Sequence, residues 1–307
     1  MGEFSKYVGE VGEGIVNDFL TLFRWRNMNN KELPCCTPTH EKKTHGIDSL
    51  FIYESPLQKQ SLVSVVVSTK YSSNPYENVS TTFRSHFKDI AHTVECYGKS
   101  RIKRDLTKAF KGSSRKDDVG VLFYINNDNS GTKDNIKLDD GKKKGIAAHR
   151  ISGDLKFKTI HVIDNERADF LYASLNFIKS KYSDYEFFCL TTSLNVAADN
   201  QTNHSPLMPV EYITSPIIPL SVSTSSGKKF ILLCDFVFTQ ESLTLVYHLA
   251  RNLCADFANH YEIYFQDYNA LEHDPIVDEV KMSSDTGVEV ELFVGSYNKN
   301  FRSEANG

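Results

Sequence analysis

Residues 45–70 read HGIDSLFIYESPLQKQSLVSVVVSTK, and the placement of apolar and polar side chains in this stretch decides the fold. His45 to Tyr53 and Leu62 to Lys70 predict two strands, the second strongly β-branched; the polar stretch between them, with Ser55-Pro56, predicts a hairpin loop. Successive strand residues face opposite ways, so Ser68 and Lys70 project from one side of their strand, as do Asp48, Leu50 and Ile52 of theirs. The hairpin therefore sets a carboxylate, Asp48, beside an amine, Lys70. Phosphodiester hydrolysis needs that combination: a carboxylate holds a hard divalent cation, and a positive group activates the attacking water or steadies the pentavalent phosphorane. The bland alternative is that the two residues merely begin and end solvated strands.

Working outward, apolar residues recur at helical spacing through Val8, Val11, Ile15, Phe19, Leu22 and Phe23, which predicts a helix from about Phe4 to Trp25, broken between Asn27 and Pro38. Glu13 stands at the border of its apolar arc, because Leu20, Val16, Phe23, Phe19 and Ile15 all fall to one side of it on a helical wheel. A carboxylate there can reach over the sheet, whereas a fully exposed one could not. After the hairpin, Phe83, Phe87, Ile90 and Val94 mark the buried face of a second helix, which pauses at Gly98 and continues to Phe110. Val119 to Ile125 predicts a short buried strand.

The ordered set of Gly12-Glu13-x-x-Val16-x-x-Phe19-Leu20 on a helix, then Gly46-Ile47-Asp48, then a β-branched strand ending Ser68-Thr69-Lys70, followed by helix and strand, resembles the Mrr-like branch of the PD-(D/E)xK nucleases over roughly residues 4 to 125. The resemblance implies a restriction-endonuclease-like domain with a mixed central sheet. It implies Glu13, Asp48 and Lys70 as the catalytic set, Asp48, Glu13 and the Thr69 carbonyl as holders of Mg2+ or Mn2+, and DNA as substrate. Ser68 departs from the pattern, since the family places Glu, Asp or Gln there; a relocated acid such as Glu54 or Asp89 would compensate. The chain also looks similar to nuclease subunits of bacterial two-gene anti-phage defence systems, which implies a controlling partner subunit or a homo-oligomer. The rival reading is a degenerate nuclease fold, disarmed at Ser68, that grips DNA or a protein without cutting; a purely structural subunit is a second.

Beyond Ile125 the composition changes to NNDNSGTKDNIKLDDGKKKG, too polar to repay the entropy of ordering, so 128–153 reads as a linker or long loop in which Lys142 to Lys144 is a solubilising run. Residues 1–127 then form the nuclease-like domain and 154–300 a second α/β domain. In the latter we expect strands near Thr159–Ile163, Glu186–Leu190, Phe230–Phe236, Tyr261–Phe265 and Val288–Val294, with helices near Arg167–Lys179 and Gln240–Phe257, giving two similar β-α-β units. Its apolar content, including Phe230, Leu232, Phe236, Tyr247, Tyr261, Tyr264 and Phe265, reads mostly as core.

Charge is nearly balanced, 35 Lys+Arg against 39 Asp+Glu, so a polyanion surface must come from local clustering. Lys99, Arg101, Lys103, Arg104, Lys108 and Lys111 form such a cluster, extended by Arg115 and Lys116 and opposed within the segment by Asp105 alone; on a helix beside the hairpin it would neutralise phosphates without reading sequence. The dull alternative is a solvated helix face. The six cysteines lack CxxC spacing and read as reduced, packed thiols, Cys35-Cys36 among them. None of the ten histidines falls in HxH or HExxH spacing; His40 and His45, near Asp48, are conceivable accessory bases, and His161, His248 and His260 read as core residues. Gly9 to Gly14 has no preceding strand and makes no phosphate loop, and GxSxG is absent. With no signal-like start and no long apolar run, the expected location is the cytoplasm, with no membrane association.

Overall fold

The structure, a computed structural model, describes residues 2–26, 31–76, 79–127, 153–190, 203–225, 227–254, 258, 260–283 and 291–298. It divides into two units, Met1–Asp169 and Phe170–Gly307.

In the first unit a four-stranded sheet runs in the order β3 (Ser49–Glu54), β4 (Ser61–Ser72), β5 (Arg115–Asn126), β6 (Thr159–Ile163). β3 and β4 are the antiparallel hairpin read from the sequence, while β4–β5 and β5–β6 are parallel, so the sheet is mixed. Both faces are covered, which is why β4 reads as a continuous β-branched run. On one face lies α1 (Gly2–Leu22), whose Phe19 packs against Phe123. Trp25, just beyond the helix, stacks on Phe51. On the other face α2 (Val79–Lys99) buries Phe83, Phe87, Ile90 and Val94 against Leu50, Val66 and Leu122. Gly120 in β5 makes room for that helix, since a Cβ there would meet Ile90 and Val94 at 3.2 Å.

Two sequence expectations change in this unit. His45 to Tyr53 is not one strand: it breaks at Asp48 into β2 (Thr44–Ile47), paired antiparallel with β1 (Lys31–Pro34), and β3, paired with β4. Aspartate is a poor strand former, and here its main chain hands pairing from one sheet to another. The strand near Thr159–Ile163, assigned above to the second domain, is β6 of the first sheet. Sequence could not show that the polar stretch joins two neighbours of one sheet; most of that stretch, 128–152, lies outside the described residues.

The second unit is built on a six-stranded sheet, β12 (Glu291–Ser296), β11 (His260–Phe265), β10 (Gly227–Cys234), β9 (Ile217–Thr224), β7 (Glu186–Phe188), β8 (His204–Ser205). β10, β11 and β12 are parallel, joined through α5 (Gln240–Cys254) and α6 (Ala270–Ser283). The β-α-β reading therefore holds for β10-α5-β11. It fails for the earlier segment, because α4 (Asn165–Lys181) leads from β6 of one sheet to β7 of the other, and β7 is antiparallel to β9. Phe230, Leu232, Tyr247, Tyr261, Tyr264 and Phe265 are all buried, as expected of core. No described helix is long and apolar enough to cross a membrane.

Candidate active site

Strand length creates the site. β4 has twelve residues and β3 only six, so pairing with β3 ends at Ser49↔Val67 while pairing with β5 continues to Ser72↔Asn126. From Ser68 onward one edge of β4 has no strand beside it among the described residues. Asp48, at the strand break, fills the first gap: its main-chain N–H donates to the Val67 carbonyl at 3.3 Å, and its Oδ2 accepts the Thr69 N–H at 2.6 Å.

Beside this edge lies a cavity of about 360 Å³ lined by Gly9, Glu13, Asp48, Thr69, Lys70, Tyr71, Ser72, Tyr76 and His86. Glu13, Asp48, Thr69 and Lys70, drawn from α1, the strand break and β4, thus line one pocket. Glu13 is brought there by Gly12. A Cβ at Gly12 would lie 2.6 Å from the Tyr71 Cβ, so only glycine lets the helix touch the strand at this point. One expectation is corrected: Glu13 is exposed, not half-buried at a core margin. Its exposure and its place on the pocket are compatible because the pocket itself is open at the sheet edge, a feature that a helical wheel does not contain.

Burial pushes the Asp48 carboxyl above its ordinary value, while the Thr69 N–H and the Lys70 charge pull the other way. Lys70 has no ion pair among the described residues, so its ammonium remains available to a ligand. Tyr76, also in the lining, stacks on Tyr124 at 4.3 Å, and its hydroxyl donates to the carbonyls of Lys70 and Ile125. Burial, then Lys70, depresses the His86 imidazole, which keeps it neutral near pH 7 and able to accept a proton. Sequence reasoning passed over His86 and Tyr76. His86 is three residues from Phe83 on the apolar flank of α2, a spacing that could have drawn attention to it.

Glu13, Asp48 and Thr69 bring oxygen donors to the pocket, and the Thr69 Oγ1 is buried with no hydrogen-bond partner among the described residues. Such a set suits a hard cation such as Mg2+, and an orphaned buried hydroxyl is an atom awaiting one more contact. Ser68 is absent from the pocket lining, and neither relocated acid supplies its place. Asp89 pairs with Lys42 at 2.6 Å, and Glu54, at the opposite end of β3, accepts from Ser113. His40 and His45 also lie away from the pocket, in a cluster on the far side of β2.

The cationic segment is less available than its sequence suggests. Ser100 ends the continuous helix by capping a separate α3 (Arg101–Thr107) through the Lys103 N–H at 3.0 Å. Asp105 is not the sole opponent. Lys99 pairs with Glu95, Lys103 with Asp118, and both Arg101 and Lys108 with Asp105. Glu95 lies one helical turn before Lys99, just outside the segment counted, and folding brings in Asp118 from β5. Arg104 and Lys111 are exposed and have no ion pair among the described residues.

Comparison with known proteins adds one finding: the family described as the GAPS4 protein PD-(D/E)XK nuclease domain matches residues 1–167. No curated protein and no solved structure matches the chain. The matched span takes in the whole first sheet, β6 included.

Proposed function

This chain belongs to the GAPS4 family with a PD-(D/E)XK nuclease domain, and from that premise we propose that it is a metal-dependent deoxyribonuclease whose centre is Asp48, Lys70 and Glu13. The observation that carries the reading is the meeting of Glu13, Asp48, Thr69 and Lys70 on one pocket although they come from three separate segments. Asp48, Glu13 and the Thr69 carbonyl would hold Mg2+ or Mn2+. When bound, such a cation polarises a phosphoryl oxygen and lowers the pKa of water. The Thr69 N–H holds Asp48 through Oδ2, and Asp48 lines the pocket. Lys70 places a positive charge beside the carboxylates, where the anionic phosphorane develops its charge. Neutral His86, which also lines the pocket, would take a proton from an attacking water. Arg104 and Lys111 supply phosphate contacts outside the pocket. In keeping with its family name, we assign the activity to anti-phage defence in the cytoplasm, with a partner subunit or self-assembly restraining it.

The test is cleavage of plasmid and linear DNA with Mg2+ or Mn2+, by the purified chain and together with any subunit that copurifies. Asp48→Asn and Lys70→Ala each lower the rate at least about a thousandfold, the scale on which single electrostatic groups act in such sites. Cleavage that survives both substitutions refutes the assignment. Salt-sensitive binding without cleavage in the unaltered chain establishes instead the degenerate binding module foreshadowed by Ser68.

A further inference from the structure

Behind β2, outside the pocket, Cys35, His40, His45 and Cys96 bring four ligand atoms within 4.8 Å of one another. Cys35 Sγ is 3.9 Å from Cys96 Sγ, and His40 Nδ1 is 3.4 Å from each of Cys35 Sγ, Cys96 Sγ and His45 Nε2. Around tetrahedral zinc, bonds of about 2.3 Å to sulfur and 2.05 Å to nitrogen give ligand separations of about 3.8 Å for S···S, 3.6 Å for S···N and 3.3 Å for N···N. Four of the six separations in the cluster are close to those values, and all six are within 4.8 Å. We infer that Cys35, His40, His45 and Cys96 form a structural zinc site that pins the β1–β2 hairpin to α2.

Cys35 Sγ has the Thr37 carbonyl at 3.2 Å and Cys96 Sγ has the Cys36 sulfur at 3.1 Å, yet both sulfurs also face His40 Nδ1 at 3.4 Å. His40 Nε2 lies 3.4 Å from the Glu95 carboxylate, which places the imidazole proton on Nε2 and leaves a single lone pair on Nδ1. That lone pair faces three neighbours at once, and one cation at the centre satisfies all four groups. The surroundings are those of a metal site. A carboxylate on the outer nitrogen fixes the tautomer and raises ligand basicity. His92 stacks on His40 at 3.8 Å, and the Cys36 N–H points at Cys96 Sγ at 3.3 Å. His92, Glu95 and Cys96 sit at helical spacing on one face of α2, aimed at the same imidazole. Between Cys35 and His45 the chain makes a single 3-10 turn, Pro38–His40, closed by Glu41 at φ 54°, and Cys35 N–H bonds the Lys43 carbonyl at 3.0 Å. A left-handed glutamate is a conformation that persists only where its surroundings impose it. Three of the four ligands are buried, and soft thiolates with imidazoles select zinc over magnesium. Two strands of four residues have too few pairs to stand alone, so the ion supplies the tie that their own ladder lacks.

The experiment measures metal in the full-length chain purified without chelator. Elemental analysis returns one zinc ion per chain, and replacement by Co2+ gives the strong visible bands and sulfur-to-metal charge transfer of a tetrahedral thiolate site. Cys35→Ser, Cys96→Ser and His45→Asn lose the metal, Glu95→Gln weakens it about 10- to 100-fold, and Cys36→Ser retains it. Asp48→Asn also retains zinc, so loss of cleavage and loss of zinc are separable outcomes. A metal-free chain that yields no tetrahedral cobalt spectrum overturns the inference, and this arm uses the unaltered protein and needs no variant to fold. A Cys36–Cys96 disulfide in the nonreduced peptide map overturns it as well, as does loss of zinc from Cys36→Ser with retention in Cys35→Ser.

Discussion

Replacing Gly12 with alanine should damage activity far more than stability, and the structure gives both magnitudes. The new Cβ would sit 2.6 Å from the Tyr71 Cβ, 3.2 Å from its Cγ and 3.5 Å from Thr69 Cγ2. Carbon atoms prefer about 3.5–4.0 Å, so the helix must retreat by about 1 Å. No rotamer change relieves the clash, because the Tyr71 Cβ is fixed to β4. Overpacking of this kind costs about 1–3 kcal/mol, and replacing glycine inside a helix returns about 1 kcal/mol, leaving a net loss of about 0–2 kcal/mol. Glu13 is the next residue and moves with the helix, and a misplacement of about 1 Å costs about a hundredfold in rate. Gly14→Ala is the control: nothing lies within 4 Å of its Cβ, so it should gain about 1 kcal/mol and keep its activity. Denaturant unfolding and plasmid cleavage, run on both variants, decide the matter. If Gly12→Ala cuts DNA as fast as Gly14→Ala, the approach of α1 to β4 does not position Glu13, and the carboxylate has no part in the centre.

Other substitutions separate structural cations from binding ones. Lys103 and Asp118 are 14% and 16% exposed and 2.6 Å apart, and Asp118 Oδ1 already has no partner, so Lys103→Met should destabilise by about 2–3 kcal/mol in denaturant unfolding. Arg104→Ala and Lys111→Ala should leave stability unchanged while each lowers the slope of log affinity for DNA against log salt by about 1; unchanged slopes would remove them from the interface. In the second unit, Glu262 is 5% exposed and held by Lys229, Lys181, Tyr182 and Tyr264. Despite burial, those partners keep its carboxyl at about 2, against an ordinary 4.5. A depressed acid stabilises the fold above its unfolded pKa, so this contribution, on the order of 2 kcal/mol after solvent screening, is full above pH 4.5 and disappears as pH falls toward 2. Glu262→Gln should therefore lose stability at pH 7 and lose less between pH 4.5 and 2 than the parent chain; parallel acid-unfolding curves would refute the ledger.

How much of this was legible in the sequence depended on the range of the interaction. The β3–β4 hairpin, α1, the apolar face of α2 and β5 follow from local periodicity, and the structure has them. β9 was missed because Pro219 interrupts an otherwise apolar run; the strand tolerates it where pairing with β7 covers only Leu220 and Ser221. α6 was missed for a similar reason, since Pro275 lies inside the helix. In the pocket, Lys70 was readable from its strand, whereas Asp48 sits at a strand break that alternation does not foresee and Glu13 is exposed where the helical wheel put it at a core margin. What linked them, the six-residue mismatch between β3 and β4, is a property of pairing. The Cys and His cluster shows the same limit. Cys35, His40 and His45 are spaced by five in the chain, but Cys96 arrives from α2, and no local pattern unites four ligands of which one is 51 residues beyond the rest.

The two donor sets also explain why one strand break matters so much. His45 and Asp48 are separated only by Gly46 and Ile47, so β2 runs from a soft nitrogen and sulfur cluster to a hard oxygen pocket. Ile47 is buried against α2 and the sheet, and Asp48 is held at its main chain by Val67 and at its side chain by Thr69. Zinc at His45 would fix one end of this short link and the β4 edge the other, leaving the carboxylate little freedom to turn. If both proposed sites are filled, chelation would remove two metals with different consequences: magnesium would restore the pocket, whereas loss of zinc would free the β1–β2 hairpin that leads to Asp48. Recovery by magnesium alone after mild chelation, and recovery only with zinc after harsh chelation, is the pattern the two proposed sites predict, because Asp48 follows His45 by three residues; recovery with magnesium alone after both treatments would refute it.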